Sequence, residues 1–446
     1  MSQDHFLKKT ERLRSHLIRY ASGSFLIRVT FTALNLALAI VLARLLGAQG
    51  FGIYAFCLAA SQVLAVPAML GMQQLVVREF ATYRSQEAFG LMRGLLRRAR
   101  QSVLLASLIL VLVAGALSYI LTARLDALQL TAFWMALLLV PLTAMLQVHN
   151  AALRGLRWIV QGQLGQVLQL ALALLFVCAL YILLPHGLQV EHAVATQITG
   201  AAVALAVLMI FLHKALPAAA RQAQPQYQTS AWLHSAWPML LFGGMQILNQ
   251  EVSIIMLGVL GTAEEVGYFR VAQRGAMLVL FGLQAVTLTI GPTISSLYAH
   301  GQMQLLQEVL TKSARAILAY SLPTALFLML GGFWIIPVIF GVEFSPAAWP
   351  LVVLCAGQLV NAGFGAVGIA LTMTRNERLT AKGVTIAGIA NVVLNALLIP
   401  IWGTIGAAAA TSLSIMLWNI LLAAWLYQRL GLTTTAIGQG RQANSV

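Results

Sequence analysis

Charged residues, and acidic residues in particular, are scarce in this sequence. Only 9% of its 446 residues are charged, and Asp and Glu together number 12. Soluble globular proteins carry about 25% charged residues, so the composition excludes an ordinary soluble domain. The 60% of apolar residues also excludes a disordered chain. At about 20 apolar residues per crossing, the length suffices for roughly a dozen membrane helices.

Several signals of cofactor and metal chemistry are also absent. The three cysteines, Cys57, Cys178 and Cys355, lie in apolar stretches without CxxC spacing, which argues against a disulfide framework and a zinc site. The sequence contains no GxxxxGK[ST] loop, no HExxH motif and no paired histidines. We therefore expect no cofactor, no bound metal and no ATP hydrolysis by this chain.

The apolar residues form long uniform runs, which predicts an all-α integral membrane protein. A membrane barrel would instead need apolar and polar residues in alternation. Hydropathy predicts twelve transmembrane helices in two groups of six. The predicted spans are 22–45, 51–76, 101–122, 129–151, 161–184, 192–213, 237–260, 266–292, 314–340, 347–372, 382–402 and 404–427.

The net charge of +15 follows from where the basic residues lie. Only Arg44 and Arg124 fall in loops on one side of the predicted membrane, and nearly all other Lys and Arg residues fall on the opposite side. The positive-inside rule therefore predicts that both termini are cytoplasmic. Because this rule accounts for most of the net positive charge, the charge does not indicate a nucleic-acid partner. The basic run 93–100 is expected to anchor the chain, with contact to anionic lipid as the alternative.

The chain divides into five predicted segments. Residues 1–21 form a cytoplasmic amphipathic segment, since apolar and basic side chains recur at helical spacing. Two six-helix bundles are predicted at 22–213 and 236–430, joined by a Pro- and Gln-rich cytoplasmic linker at 214–235 and followed by a polar cytoplasmic tail at 431–446.

The two bundles resemble each other at a constant offset. Gly52 and Gly267 are 215 residues apart, as are Pro185 and Pro400, within similar local sequences. Each bundle has six spans, so both enter the membrane from the same side and form a parallel repeat, an architecture typical of transporters. Tight external turns are expected at two glycine-containing segments, Gly47 to Gly52 and Gly261 to Gly267.

Four charged residues lie inside predicted spans and are not explained as residues of the loops or span ends, and each costs at least about 2.5–3.5 kcal/mol at mid-membrane on insertion scales. They are Arg28 in the first span, Glu251 in the seventh, and Arg270 and Arg274 in the eighth. Asn35 shares a helix face with Arg28. A cationic cavity that binds an anion, such as a diphosphate, is one interpretation; snorkelling of Arg270 to the membrane surface is the other. Glu251 is interpreted either as a salt-bridge partner or as an ion-coupling residue.

Five segments together resemble a known family, although each alone is only apolar sequence with glycine. They are ARLLGAQGFGIYAF (residues 43–56), VRE (77–79), AALRGLRW (151–158), FGVEFSPAAWPLVVLCAG (340–357) and LNALLIPIWGTIGAAAATSLS (394–414). In order and spacing they are similar to the polysaccharide transporter family, the O-antigen or lipid-linked oligosaccharide flippases of the multidrug, oligosaccharidyl-lipid and polysaccharide exporter superfamily.

That resemblance implies a flippase that works by alternating access and is not an enzyme. Its substrate would be an undecaprenyl-diphosphate-linked oligosaccharide, an O-antigen or exopolysaccharide repeat unit, moved to the outer leaflet of the bacterial inner membrane. Arg28, Asn35, Arg270 and Arg274 would line its cationic cavity. Membrane lipids are implied partners, and so are the polysaccharide polymerase and chain-length machinery.

Two other functions stay open. A multidrug or cation antiporter of the same superfamily would need buried carboxylates, and Glu251 is the only one within the predicted spans. A membrane enzyme that polymerises or ligates glycans would need a sizeable outer loop, and the predicted outer loops are short.

Overall fold

The structure of the protein, a computed structural model, describes residues 3–120, 127–184 and 187–436, and most of these residues are helical. No strand occurs in these ranges. The helices are α1 Gln3–Ala68, α2 Met72–Ser85, α3 Phe89–Ile120, α4 Ala127–Leu137, α5 Leu139–Gly155, α6 Gln161–Leu183, α7 Val190–Ala215, α8 Ala218–Gln222, α9 Thr229–Leu260, α10 Ala263–Ala299, α11 Met303–Phe340, α12 Ala348–Phe364, α13 Val367–Met373 and α14 Glu377–Leu430, with a 3-10 helix at Val342–Ala347.

Eight helical segments in the described ranges are long and apolar enough to cross a membrane, and the bent pair Ala263–Thr287 and Thr289–Ala299 is a ninth if it is one span. The protein is therefore a multi-pass membrane protein. The segments Leu26–Ala68 and Glu377–Leu430 contain 43 and 54 residues, about twice the length of one crossing. The predicted count of twelve spans stays a prediction.

Each of these two long helices is interrupted at one glycine. Gly47 has φ 69° and ψ 179°, and Gly403 has φ 52° and ψ −126°. Side chains disfavour such positive φ angles, whereas glycine adopts them at no steric cost. The predicted external turn from Gly47 to Gly52 was too long, because the helix resumes directly after Gly47.

The second predicted turn was also too long. It consists of Gly261 and Thr262 alone, and Gly267 lies inside α10. Thr262 ends the turn as an N-cap: its hydroxyl accepts from the Glu265 backbone N–H at 3.3 Å, and the Glu265 carboxylate accepts from the Thr262 N–H at 3.0 Å. This capping box satisfies two backbone N–H groups at the start of α10, so the helix begins directly after Thr262 and the turn is short.

The chain packs as two units. Unit 1 comprises Met1–Leu42 and Ala60–Gly244, and unit 2 comprises Ala43–Ala59 and Met245–Val446. The segment Ala43–Ala59 thus packs within unit 2 although the chain continues into unit 1 at both of its ends. The predicted domain limits, which follow hydropathy, stay predictions.

In unit 1 the segment after α7 is held against α2 and α3. The backbone N–H of Gln226 donates to the Gly90 carbonyl at 3.0 Å, and Arg93 donates to the Ala223 carbonyl at 2.8 Å. The indole of Trp232 donates to the Tyr83 hydroxyl at 2.9 Å in a buried position. The predicted linker is therefore fixed at these three points, while most of its side chains are exposed.

Unit 2 holds its own C-terminal segment in a similar way. Gln307 at the start of α11 donates to the Thr433 carbonyl at 2.8 Å and accepts from the Thr433 N–H at 2.9 Å. Arg315 donates to the Ala436 carbonyl at 3.1 Å.

Some predictions fall on residues outside the described part of the chain. These are Arg124, Pro185, the side chains of the amphipathic segment 1–21, and the polar tail beyond Ala436.

Candidate functional site

Two neighbouring helices of unit 2 carry three of the predicted site residues. The two-residue turn at Gly261 and Thr262 folds α10 back beside α9. Arg270, seven residues into α10, thereby comes level with Glu251, nine residues before the end of α9. Sequence position on the two helices, combined with the tight turn, brings the acid and the base together.

Arg270 and Glu251 form a buried ion pair. Arg270 Nη2 lies 3.1 Å from Glu251 Oε2, and Nη1 lies 3.4 Å from Oε1. The side chains are 3% and 9% exposed. Arg270 Nη1 also donates to Gln273 Oε1 at 3.1 Å, and Gln273 Nε2 donates to the Gln250 carbonyl at 2.9 Å. The pair is the one that the salt-bridge interpretation of Glu251 expects, whereas the predicted roles of Glu251 in ion coupling and of Arg270 in substrate binding stay predictions. Snorkelling does not describe Arg270, because its side chain is buried beside a carboxylate.

Arg274, one helical turn further along α10, has different surroundings. Its Nε is buried without a hydrogen-bond partner, and its Nη1 makes only a weak contact of 3.7 Å to the Met277 sulfur. It lies within electrostatic range of Arg270, Glu251 and Tyr54. Because Glu251 neutralises Arg270, the cluster keeps one net positive charge, and Arg274 carries it.

Arg28 and Asn35 lie on α1 in unit 1. The Arg28 side chain is exposed and that of Asn35 is half-buried. Thr32, one turn from Arg28, donates its hydroxyl to the Arg28 carbonyl at 2.9 Å. The predicted ligand-binding roles of both residues stay predictions.

The sequence analysis missed a buried amide network between α9 and α14. Asn249 donates to the Val384 carbonyl at 3.2 Å, and Asn391 donates to the Asn249 carbonyl at 3.3 Å. Asn395 donates to the Asn391 side-chain oxygen at 2.7 Å. The i, i+4 spacing of the two asparagines within an apolar span was the signal available in the sequence.

The repeated glycines meet in unit 2. A Cβ on Gly52 would clash with the Ala263 carbonyl oxygen, and a Cβ on Gly267 would lie 2.6 Å from the Ala48 carbonyl oxygen. Phe51 packs edge-on against Phe344, with ring centroids 6.0 Å apart. Gly52 and Gly267, paired in the sequence by their 215-residue offset, thus form one close backbone contact. We call it the glycine seat of the segment Ala43–Ala59.

The fold is shared with known transporters. An inward-facing multidrug resistance transporter of the MATE family, in the MOP superfamily, superimposes with a TM-score of 0.73 over 90% of this chain and 94% of that chain, at 16% identity. The lipid II flippase MurJ, in an inward closed conformation, superimposes with a TM-score of 0.71 over 92% of this chain and 87% of that chain, at 12% identity. Identities this low establish a common fold only.

A curated relative and a family model add sequence evidence. The chain is 25% identical over 249 residues to the "Probable low-salt glycan biosynthesis flippase Agl15" of Haloferax volcanii, an alignment that covers 55% of this chain and about half, 51%, of that protein. The family model described as "Polysaccharide biosynthesis protein" matches residues 21–298. The protein therefore belongs to the polysaccharide biosynthesis protein family, as its sequence motifs had indicated.

Proposed function

We propose that this protein is a flippase for a lipid-linked oligosaccharide carried on undecaprenyl diphosphate. It would move this lipid by alternating access from the cytoplasmic to the outer leaflet of a bacterial inner membrane, with both of its own termini in the cytoplasm. Family membership supports a role in polysaccharide biosynthesis. The names of Agl15 and MurJ, both flippases, support lipid translocation.

The uncompensated charge of Arg274 is the observation that carries the proposal. An arginine in an apolar span is costly unless water or an anion faces it. Its planar guanidinium forms paired hydrogen bonds to phosphate oxygens, and a diphosphate supplies both the charge and the acceptors. Arg28, Asn35 and Arg270 stay proposed substrate-binding residues, and Arg270 also holds Glu251 and Gln273 by hydrogen bonds.

The membrane potential suffices in principle to drive this export. Moving one negative charge outward across an inside-negative membrane gains about 2.3 kcal/mol per 100 mV. An anionic diphosphate can therefore be exported without ATP. An ion-coupling role for Glu251 stays a second proposal, and it requires that the pair with Arg270 opens during transport.

The glycine seat supports alternating access. The segment Ala43–Ala59 is continuous with unit 1 at both ends but packs on α10 of unit 2 through bare backbone at Gly52 and Gly267. Backbone surfaces without side chains can meet and separate with little interdigitation. We propose that the seat opens when the protein turns outward.

The fold also suits a cation-coupled multidrug antiporter, because a MATE transporter superimposes on the chain. The ion pair argues against it. A cation exchanger needs a carboxylate that is free to exchange its ion, and Glu251 is engaged by Arg270. The net positive charge at Arg274 would also repel a cationic drug.

Deletion of the gene tests the proposal. Lipid-linked oligosaccharide should accumulate on the cytoplasmic leaflet, surface polysaccharide should be lost, and the wild-type gene should restore both. Normal glycan on both faces, together with new drug sensitivity, would instead support the antiporter.

A further inference from the structure

Among the described residues of unit 1, four buried side-chain polar atoms have no hydrogen-bond partner, and they lie close to one end of α5. They are Arg100 Nε on α3, and His149 Nε2, Asn150 Oδ1 and Arg154 Nε on α5. His149 is fully buried and Asn150 is 2% exposed. Buried polar atoms in proteins nearly always have partners, so four orphans in one region require an explanation.

Two glycines on α6 explain why part of this group is buried. A Cβ on Gly162 would lie 2.7 Å from Arg154 Cγ, and a Cβ on Gly165 would lie 2.8 Å from Asn150 Oδ1. Because these glycines have no Cβ atom, α6 can pack directly against Asn150 and Arg154, which are i, i+4 neighbours on one face of α5. Packing between α5 and α6 therefore buries Asn150 and the Nε of Arg154 but supplies no polar partner for the orphaned atoms.

The group is positively charged. Arg100 lies within electrostatic range of His149, and neither Arg100 nor Arg154 forms an ion pair or a side-chain hydrogen bond with any described residue. Both arginine side chains are half-buried, so each remains partly accessible to a ligand. Unit 2 neutralises Arg270 with an acid, whereas unit 1 leaves this pair of cations uncompensated.

The donors and acceptors among the four unpartnered atoms indicate which hydrogen-bonding groups a ligand would need. The two arginine Nε–H groups need acceptors. The His149 Nδ1–H donates to the Met145 carbonyl at 2.7 Å, so in the neutral ring Nε2 is a lone-pair acceptor, as Asn150 Oδ1 is. The group thus needs an anion rich in acceptors that also carries hydroxyl donors. We propose that Arg100, His149, Asn150 and Arg154 form a binding site for a phosphate ester that bears hydroxyl groups.

The position of the site suits a head group at the membrane surface. Arg100 directly precedes the apolar part of α3, and Leu104, Leu105 and Leu108 are 47%, 61% and 57% exposed. An acyl chain can lie along these leucines with its phosphate beside Arg100. The basic residues at this end of the bundle place it at the cytoplasmic leaflet by the positive-inside rule. Phosphatidylglycerol has the required phosphate and hydroxyls, and glycerol 3-phosphate offers the same chemistry in solution.

Thermal unfolding of the purified full-length protein tests the site. The protein is placed in phosphatidylcholine nanodiscs, then in discs that also contain phosphatidylglycerol, and finally in phosphatidylcholine discs with glycerol 3-phosphate added. We expect phosphatidylglycerol to raise the unfolding midpoint of the wild type. Arg100→Gln and Arg154→Gln should each weaken the apparent affinity about 10–100-fold, as expected for a lost hydrogen bond to a charged group.

Arg98→Gln is the matched control, because it removes the same charge from an exposed position on the same helix. Its response to phosphatidylglycerol should equal that of the wild type. In phosphatidylcholine alone, Arg100→Gln should unfold no earlier than the wild type, since it removes a half-buried cation that has no partner among the described residues. A response to glycerol 3-phosphate that requires the same arginines would support the site with a soluble ligand. Equal responses of Arg100→Gln, Arg154→Gln and Arg98→Gln, or no response to either ligand, would overturn it.

Discussion

Arginines packed among the helices occur in two different settings in this protein. Arg270 lies 3.1 Å from a carboxylate oxygen of Glu251, whereas Arg274, one turn away, and Arg100 and Arg154 in unit 1 have no acidic partner among the described residues. The paired arginine holds helices together. The unpaired arginines make sense only if water or a ligand meets their charge, so the difference separates a structural cation from cations available for binding.

Loss of Glu251 should have the largest effect on stability. Glu251→Gln leaves Arg270 buried without its counter-charge, and breaking such a pair costs about 3–5 kcal/mol. The free energy of unfolding, measured by denaturant titration in detergent, should fall by about that amount.

The double variant Glu251→Gln/Arg270→Gln separates structure from ion coupling. If the pair is structural, the second change should restore most of the lost stability and leave flipping measurable. A stable double variant that no longer flips its lipid would show that Glu251 also couples transport.

Arg274→Gln should act on function rather than on stability. It removes an unpaired cation, so the free energy of unfolding should stay the same or rise slightly. Substrate binding should weaken by about 1.5–3 kcal/mol, the value of hydrogen bonds to a charged group. Surface glycan in a complemented deletion strain should drop at normal expression, with partial rescue by Arg274→Lys. Full surface glycan levels in the Arg274→Gln strain would contradict the proposal that Arg274 binds the diphosphate of the substrate.

The glycine seat should tolerate no side chain. Gly52→Ala places a methyl group against the Ala263 carbonyl, and overpacking of this kind costs about 1–3 kcal/mol. Gly363→Ala is the control, since nothing lies within 4 Å of its Cβ position; it should be neutral or stabilising by up to about 1 kcal/mol. Equal thermal midpoints for the two variants would mean that the contact at Gly52 is loose.

A neutral hydrogen bond should have the smallest effect. Trp232→Phe removes the bond from the indole to Tyr83 and should cost about 0.5–1.5 kcal/mol. Trp237→Phe, on the same helix with a side chain that is 62% exposed, should leave the thermal midpoint within a degree or so of the wild type. A larger effect at Trp237 would contradict the assigned packing of the segment after α7.

The fold class and the family were predictable from the sequence, because apolar run length and the order of glycine motifs are local features. The break at Gly47 was predicted as a turn, but its length was not, because helix resumption depends on packing that hydropathy does not report. The sequence also left two roles open for Glu251, and the ion pair with Arg270 became visible only when the structure placed the two helices side by side.

The unpaired cluster in unit 1 could not be predicted. In the sequence, His149 and Asn150 lie at the end of the predicted span 129–151, and Arg100 belongs to the basic run that is expected to anchor the chain. The burial of Asn150 and of Arg154 Nε depends on Gly165 and Gly162 of another helix, and a close approach between two helices is a tertiary property that no local pattern encodes.

Reconstitution of the purified protein tests the central claim most directly. Proteoliposomes would receive a fluorescent undecaprenyl-diphosphate-linked saccharide, and the fraction accessible to a membrane-impermeant quencher would be followed with time. We predict that wild-type protein exchanges the lipid between leaflets, that an inside-negative potential speeds outward movement, and that Arg274→Gln slows it about 10–100-fold. Exchange at the rate of protein-free liposomes, or an Arg274→Gln variant as fast as the wild type, would contradict the account.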